Sequence, residues 1–450
     1  MRKHCVRVAL ILLITAATNA VLSVNSVSAT DNKFATISNA QAQEMLAKIQ
    51  ADIQQYYYDP ALHGLDLKKR FSDASQKIAG AKSQDEALLI IAAAVAALND
   101  SHTRFRPPVR PYGVDYGWLM EAVGDSNCYV TAVRSDSDAA AKGMKPGDQV
   151  LAVNGVPLLR NDINTIEYSY HVFPQSGFHL DVRSPDGAER TIVAKAKITP
   201  GQTMVTHTDV MTWARAHRDD PTHDPSRYHE LNKKVLVWKL PDFLIDPSDV
   251  DGRANKMRPF EVVVLDLRGN PGGRIDALEK FIGSFFDHEV KIGDRKGRGE
   301  LKPQIAKTRG GKAFSGKLIV LVDSKSASAA EIFARVVQLE KRGIVLGDRS
   351  AGAVMEGKSY VHAIPLDRFN VTQYGAMITV ANLIMTDGKS LENVGVMPDE
   401  RILPTPADLA AGRDPVLARA AQLSGVELTS DEAAKILPFE WPKEQMPEID

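Results

Sequence analysis

The chain has 450 residues, of which 44% are hydrophobic and 25% are charged, and its formal net charge at pH 7 is −1. This length allows two or three domains with separate hydrophobic cores. A nearly neutral chain without a basic stripe lacks the electrostatic attraction on which nucleic-acid binding depends. Nucleic acid is therefore excluded as an expected partner.

The N-terminal residues have the order of a secretory signal. Three basic residues, Arg2, Lys3 and Arg7, precede an apolar run over residues 8–17, and small side chains follow up to Ala29. This pattern predicts a signal peptide over residues 1–29 and a periplasmic or otherwise extracytoplasmic location, with an uncleaved anchor as the alternative. No later segment approaches the roughly 20 apolar residues that a spanning helix needs, so we expect no stable membrane span after cleavage.

Cysteine usage agrees with this interpretation. The chain has 2 cysteines, Cys5 and Cys128, and Cys5 lies within the predicted signal. The mature chain would then have no internal disulfide. That is normal for an exported protein that is large enough to bury its own core.

Residues 33–108 are expected to form a helical N-terminal domain. Apolar residues recur there at helical spacing, as at Met45, Ile49 and Ile53. Pro107 and Pro108 break the pattern and mark a domain boundary.

Residues 109–200 alternate short β-like runs with turns. Two such runs cover residues 129–133 and 149–153, and between them lies the segment SDAAAKGMKPGD at 137–148, followed by Asn154 and Gly155. The order of a short helix, a Pro-Gly-Asp turn and a Val-Asn-Gly hairpin resembles a PDZ domain. The resemblance implies that the domain adds a chain end as an extra strand and holds its carboxylate on backbone N–H groups. An unrelated small β domain is the alternative.

Residues 201–233 are predicted to be a polar linker or insertion. They include four histidines, His207, His217, His223 and His229. The histidine spacings fit no metal-ligand pattern and no cysteine accompanies them, so a solvated loop is favoured over a metal site.

From residue 234 the pattern changes to short, fully apolar strands that alternate with helical stretches. The clearest strands are residues 262–265 and 318–322, and a helix is expected after each, at 274–286 and 328–340. Such runs are typical of buried parallel strands, so residues 234–403 are predicted to be an α/β core. Residues 404–450 are expected to be a C-terminal helix and tail.

The turn DLRGNPGG at residues 266–273 lies between a buried strand and a helix. Backbone N–H groups at such a helix N-terminus can hold a phosphate or a developing oxyanion. The alternative is that glycine is present only because a tight turn requires it.

A second junction of this kind carries the segment SKSASAAEIFA at residues 324–334. Serine at a helix start is commonly a cap. We expect Ser326 or Ser324 to cap the helix, with Ser328 in its first turn and the Ser328 Oγ free for chemistry. The N–H of Ala329 would then help to stabilise a tetrahedral intermediate.

The segments 266–273, 326–331 and 347–352 resemble, in order and spacing, three motifs of the tail-specific (C-terminal processing) serine peptidases. The resemblance implies a core built as a crotonase/Clp-like spiral of strands and helices. It also implies that Ser328 is the nucleophile, and that the oxyanion hole is formed by Ala329 together with Gly272 or Gly273.

The chain departs from the processing-peptidase pattern at one position. The base of that branch is a lysine directly after the Gly-x-x-x-x-Gly element, and Ala353 occupies its place here. A methyl group cannot accept a proton, so the chain either is inactive or has its base elsewhere. Lys358, on the strand expected to follow, is a remaining candidate for a displaced dyad.

The segment LNDSHT at residues 98–103 resembles the Ser-His element of the tricorn-like and retinoid-binding-protein-like branch of the same family. That resemblance implies that His102 is the general base, held by Ser101 and by a glutamate near the end of the core. Glu392 matches the glutamate, with Asp387 and Glu356 as rivals. An ordinary imidazole pKa near 6.5 suits a base at neutral pH.

Together these features predict an exported serine endopeptidase that cleaves peptides or unfolded protein segments through an acyl-enzyme. It would need no metal or organic cofactor, and its partners would be substrates captured by their C-terminal ends. Two alternatives stay open. One is a catalytically inactive peptide-binding protein on the same fold, and the other is a crotonase-like acyl-CoA enzyme.

Overall fold

The computed structural model describes residues 37–110, 112–200, 226–366, 368 and 371–441. The predicted signal peptide, most of the predicted linker and the last residues of the tail lie outside these ranges. The described chain is a mixed α/β structure with helices at its N-terminal end, as the sequence predicts. Its helices and strands are numbered in chain order below.

Helices α1 (Asn39–Tyr56), α2 (Leu67–Ala79) and α3 (Gln84–Ala96) open the described chain. Each begins at a side-chain cap, provided by Ser38, Asp66 and Ser83 respectively. Such caps satisfy N–H groups that have no partner within the helix. Apolar side chains from the three helices form one buried cluster.

The β1 strand (Arg104–Arg106) follows the helices and pairs antiparallel with a long strand of the core, β18 (Val371–Met385). The turn at residues 98–103 therefore connects helix α3 to the core sheet. This placement brings residues of the helical region against the core.

Residues 112–200 form a β-rich unit with its own buried cluster. Its strands are β2 (Tyr112–Asp115), β3 (Trp118–Val123), β4 (Asn127–Val133), β5 (Gln149–Val153), β6 (Val156–Pro157), β7 (Gly177–Arg183), β8 (Glu189–Lys195) and β9 (Lys197–Pro200). The order in its main sheet is β3-β4-β5-β7-β8, with β6 beside β5. Two short helices, α4 (Asp138–Ala141) and α5 (Ile163–Val172), complete the unit.

A buried arginine joins this unit to the core. Arg160 is 6% exposed, and its Nη1 donates to Asp348 Oδ2 at 2.6 Å and to the carbonyl of Gly124 at 2.6 Å. The same carboxylate oxygen accepts the N–H of Gly124 at 2.9 Å. The β-rich unit therefore docks on the segment 347–352 through a paired and hydrogen-bonded charge.

One core sheet has the order β10-β11-β12-β15-β16-β19. Its strands are β10 (Arg227–Glu230), β11 (Val235–Lys239), β12 (Val262–Asp266), β15 (Lys317–Val322), β16 (Ile344–Gly347) and β19 (Glu400–Arg401). The strands from β11 to β19 pair in parallel. Helices α6 (Pro247–Asn255), α7 (Ile275–Ile282) and α8 (Ala329–Leu339) lie between strands in the chain. The parallel α/β pattern and both predicted strands are present.

The predicted polar linker extends too far at its C-terminal end. Residues 227–230 form β10, which pairs antiparallel with β11. The ring of Tyr228 stacks on Trp238, with centroids 5.3 Å apart, so an aromatic contact stabilises a strand that its polar sequence did not indicate.

The second core sheet was not predicted from the sequence, apart from the strand expected around Lys358. It contains β13 (Val290–Gly297), β14 (Glu300–Ala306), β17 (Met355–Pro365) and β18, together with β1. Its pairs with β18 are antiparallel, and β17 pairs with β18 along the whole length of β17. This sheet carries strand β17 to the edge of the candidate site.

The C-terminal region has more structure than one helix and a tail. It forms α9 (Pro406–Ala411), α10 (Pro415–Leu423) and α11 (Ser430–Ile436). Gly412 ends α9 in the left-handed conformation, with φ of 64°, which glycine adopts without strain. Helices α10 and α11 cover one face of the parallel sheet. Among the described residues, no helix is both long and apolar enough to cross a membrane.

Candidate active site

Two turns meet at one edge of the parallel sheet. Strands β12 and β15 are hydrogen-bonded neighbours, so the turns that follow them lie side by side. The N–H of Ala327 donates to the carbonyl of Asn270 at 2.8 Å. A Cβ atom on Gly272 would lie 2.6 Å from the Cβ of Ser328, so only glycine allows this approach. The glycine turn and the serine segment therefore form one site.

Ser328 has a backbone conformation that non-glycine residues rarely adopt, with φ of 52° and ψ of −116°. Such strain costs about 1–3 kcal/mol and persists only where neighbours compensate for it. The N–H of Ser328 donates to the Ala353 carbonyl and to Glu331 Oε2, at 3.0 Å each. These two hydrogen bonds hold the backbone of Ser328 at the point where the turn after β15 leads into helix α8.

The predicted structural roles of Ser326 and Ser328 were wrong in one respect. Helix α8 begins at Ala329, and Ser328 itself occupies the N-cap position rather than the first turn. Ser326 is fully buried, and its hydroxyl donates to the Leu267 carbonyl at 2.8 Å and accepts the N–H of Asp323 at 2.9 Å. Its hydroxyl stabilises the preceding turn and is not free to cap the helix.

The two glycines proposed for the oxyanion hole differ in their bonding. The N–H of Gly272 donates to Asn270 Oδ1 at 2.8 Å, so it is already engaged. The N–H groups of Gly273 and Ala329 have no acceptor among the residues that the structure describes. Both residues line the same cleft as Ser328. The pair available to bind an oxyanion is therefore Gly273 with Ala329.

The turn after helix α3 brings three side chains into a chain of hydrogen bonds. The hydroxyl of Ser101 donates to Glu392 Oε2 at 2.8 Å, and the N–H of Ser101 donates to Oε1 at 2.7 Å. The same hydroxyl lies 2.8 Å from Nδ1 of His102. A hydroxyl has one proton to donate. When Glu392 is ionised, Nδ1 must therefore carry the proton and Nε2 has a free lone pair.

Residues 353 and 354 of the core link the hydrogen bonds around His102 to those around Ser328. Ala353 accepts the N–H of Ser328, and the next residue, Val354, donates its N–H to Glu392 Oε2 at 2.9 Å. In the described residues, His102 and Ser328 make no direct hydrogen bond. Catalytic hydrogen bonds are often longer before a substrate binds.

The rival candidates are engaged elsewhere. Asp387 accepts a hydrogen bond from Arg335 at 2.6 Å, and Glu356 accepts one from Arg295 at 3.0 Å. Both carboxylates are thus paired with arginines rather than with the histidine turn. Lys358 lies within β17, the strand after the serine motifs, as the sequence predicted.

Burial controls the protonation of the histidine and of its glutamate. Burial and, to a smaller extent, the nearby charge of Arg104 lower the pKa of His102 to about 4, against the opposing charge of Asp100. Burial also raises the pKa of Glu392 to about 7, against the opposing effect of hydrogen bonds from Ser101. The expectation of an ordinary imidazole pKa was therefore wrong, because desolvation disfavours the charged form.

Glu331 was missed as a residue of the site. Its carboxylate is 0% exposed and accepts four hydrogen bonds, from the N–H groups of Ser328, Gly352 and Ala353 and from the Ser350 hydroxyl. Burial raises its pKa to about 7, while these bonds favour the ionised form. The Ser-x-x-Glu spacing of a capping box was the sequence signal that could have identified it.

A small cleft opens beside the serine. Its walls are mostly apolar, and the paired side chains of Arg295 and Glu356 lie at one side. The apolar lining residues are Ile275, Leu278, Ile332, Val354, Met355, Ala381 and Leu383. A cleft of this kind can bind a substrate side chain next to the reacting carbonyl.

No group of three or more His, Cys, Asp and Glu side chains in the described ranges is arranged to hold a metal ion. Cys128 is a free, buried thiol in the β-rich unit and lies outside the site. The reactive side chains described at this site are a serine, a histidine and carboxylates.

Comparison with known proteins shows what the core is similar to. Residues 234–402 match Peptidase family S41. The chain is 24% identical over 359 residues to a tail-specific protease of Haemophilus influenzae, covering 74% of this chain and 48% of that protein. It is 25% identical over 348 residues to a carboxyl-terminal-processing protease of Picosynechococcus sp., covering 73% of this chain and 76% of that protein. The chain thus spans about half of the first relative and three quarters of the second.

The crystal structure of mature CPAF has a similar fold, with a TM-score of 0.60 at 16% identity, covering 83% of this chain and 94% of that one. The core is thus similar in fold to this solved structure and similar in sequence to a peptidase family. Residues 234–402 match the model of Peptidase family S41, and the relatives named above include a carboxyl-terminal-processing protease, in agreement with the resemblance that the sequence motifs indicated.

Proposed function

We propose that the chain is an exported serine endopeptidase that uses Ser328 as nucleophile and His102 as general base. The observation that carries this proposal is the hydrogen-bonded series from Glu392 through Ser101 to His102. This series provides a base for a chain that has Ala353 at the position of the dyad lysine. It therefore favours the histidine-dependent, tricorn-like and retinoid-binding-protein-like branch of the family.

The proposed reaction begins with proton transfer from Ser328 Oγ to Nε2 of His102. Oγ then attacks the peptide carbonyl, and the N–H groups of Gly273 and Ala329 stabilise the resulting oxyanion. His102 returns the proton to the leaving amine, which leaves an acyl ester on the serine. Water, deprotonated by the same imidazole, hydrolyses the ester and regenerates the enzyme.

Glu392 and Ser101 orient the imidazole in this mechanism. Ionised Glu392 accepts a hydrogen bond from the Ser101 hydroxyl, so the Ser101 oxygen accepts a hydrogen bond from Nδ1–H of His102. This selects the tautomer whose Nε2 can accept a proton, as the buried carboxylate does in other serine peptidases.

The substrates in this proposal are peptides or unfolded protein segments. Residues 109–200 act as a PDZ-like domain that captures C-terminal ends, supported by the antiparallel sheet and two short helices of that unit. The core acts as a crotonase/Clp-like spiral. The signal-like N-terminus supports an extracytoplasmic location.

Labelling with a serine-directed phosphonate tests the proposal. We expect one adduct, located on Ser328 by peptide mass spectrometry, and none in the Ser328→Ala variant. Ser326→Ala is the matched control, because that hydroxyl is buried and bonded to the Leu267 carbonyl. A chain that binds peptides but takes up no phosphonate would instead be an inactive binding protein.

A further inference from the structure

Asp100 accepts more hydrogen bonds than any role assigned so far explains. Its Oδ1 accepts the N–H of His102 at 3.0 Å, the N–H of Thr103 at 2.7 Å and the hydroxyl of Thr379 at 2.6 Å. Its Oδ2 accepts the hydroxyl of Tyr57 at 2.8 Å. Four donors from three parts of the chain therefore converge on one carboxylate.

These donors connect the turn to rigid elements on both sides. Tyr57 ends helix α1 and Thr379 lies within β18, and both residues are 0% exposed. The N–H of Thr379 also donates to the Thr103 hydroxyl at 3.0 Å. Burial and the nearby Asp100 carboxylate raise the pKa of Tyr57, so its hydroxyl stays protonated and can donate. The turn bearing His102 is thereby tied to a helix and to the core sheet.

We propose that Asp100 is a positioning residue for the base: it fixes the turn that carries His102, and its negative charge favours the imidazolium that forms during catalysis. This inference rests on the proposed function of His102 as base. It assigns the two carboxylates near the imidazole different tasks. Glu392 selects the tautomer through Ser101, whereas Asp100 holds the backbone and supplies charge.

The charged and titratable groups around the imidazole are few in the described structure. Arg104 is the nearby cation and opposes protonation, whereas the charge of Asp100 favours it. Glu392 reaches the ring through Ser101, and burial raises the pKa of this glutamate. Removing the charge of Asp100 leaves Arg104 unopposed, so protonation of His102 should become harder.

The decisive variant is Asp100→Asn, which keeps the size of the side chain and an oxygen at the Oδ1 position but removes the charge. We expect the acid limb of the kcat/KM profile to move at least about half a pH unit lower, because the charge of Asp100 raises the pKa of both His102 and Glu392. We also expect kcat to fall by about tenfold or more while KM changes little, since the loss is confined to the transition state. A purely structural role would not move the pH profile.

Asp59→Asn is the matched control. Asp59 lies two residues after Tyr57, and its carboxylate accepts the backbone N–H groups of Ala61 and His63 and lies 3.7 Å from Nε2 of His63. The chemical change is the same and the location is close, but the charge of Asp59 does not act on His102. This variant should keep the wild-type pH profile.

A second measurement separates this inference from the proposed function. The imidazole of His102 is titrated by NMR in the full chain carrying Ser328→Ala, with and without Asp100→Asn, so no turnover is needed. A lower His102 pKa in the double variant supports the role of Asp100 even if the wild-type chain hydrolyses nothing. Active wild-type enzyme, with neither the NMR pKa nor the acid limb moved by Asp100→Asn, overturns it.

Discussion

The carboxylate of Glu392 accepts two hydrogen bonds from Ser101, one from its backbone N–H at 2.7 Å and one from its hydroxyl at 2.8 Å. The two residues lie 291 positions apart in the chain. This contact places the end of the helical region against the last loop of the core. The proposed base and nucleophile therefore belong to different regions, and the site lies where those regions meet.

Replacement of the nucleophile should abolish catalysis without unfolding the protein. Ser328→Ala should lower peptide hydrolysis by at least roughly three orders of magnitude. The temperature of unfolding should not fall, because the strained backbone is held by N–H bonds that alanine keeps. Ser326→Ala should instead lower stability, since the buried hydroxyl bonds the Leu267 carbonyl. Activity lost in Ser326→Ala but kept in Ser328→Ala would contradict the assignment.

Loss of the base should resemble loss of the nucleophile. His102→Ala should cost about as much activity as Ser328→Ala, and the double variant should be little worse, because the two residues act as one unit. Lys358→Ala, on β17, should retain most activity and serves as the control. Full turnover without His102, together with a dead Lys358→Ala variant, would favour a displaced Ser-Lys dyad. Steady-state kinetics on one peptide distinguishes these outcomes.

The acid limb of the pH profile should have two steps, one for Glu392 and one for His102. The base must be neutral to accept a proton, and burial lowers the pKa of His102 to about 4. As pH decreases, kcat/KM should therefore fall first near about 7, where Glu392 is protonated and no longer selects the tautomer, and be lost near about 4, where His102 itself is protonated. The measurement is a pH profile over the range where the wild-type fold is intact by circular dichroism. A His102 pKa near 6.5, measured directly by NMR titration, would show that the imidazole is solvated in solution.

Glu331→Gln should disturb the position of the nucleophile. Four donors face the carboxylate, and the amide group of glutamine would present N–H to at least one of them. Leaving a buried donor without a partner costs about 1–3 kcal/mol, so the free energy of unfolding should fall by that amount. Activity should fall as well. Glu340→Gln, at the exposed end of α8, is the control and should change neither quantity.

The β-rich unit should bind peptide C-termini independently of catalysis. The full chain with Ser328→Ala should bind a peptide with a free carboxylate more tightly than the same peptide with an amidated end, because backbone N–H groups recognise the carboxylate. Calorimetry with the two peptides provides the comparison. Equal affinities would rule out a PDZ-like mode of capture.

Much of the core and of the candidate site could be predicted from local sequence. Strands β12 and β15 are continuous apolar runs, and such runs are characteristic of buried parallel strands. The serine and glycine motifs directly follow these strands, so their meeting at one sheet edge follows from the topology. The second core sheet could not be predicted in the same way. Strand β17 mixes exposed and buried positions, and its partner is chosen by tertiary packing.

The sequence by itself determined which residue types could react and where each lies relative to a strand or helix, because motifs and periodicity are local properties. Only the tertiary structure decided which groups meet. It set Gly272 against Ser328, and it placed Glu392, rather than its rivals, on Ser101. It also lowered the pKa of His102. Hydrogen-bond partners and desolvation depend on atoms that are distant in the chain, so no local pattern specifies them.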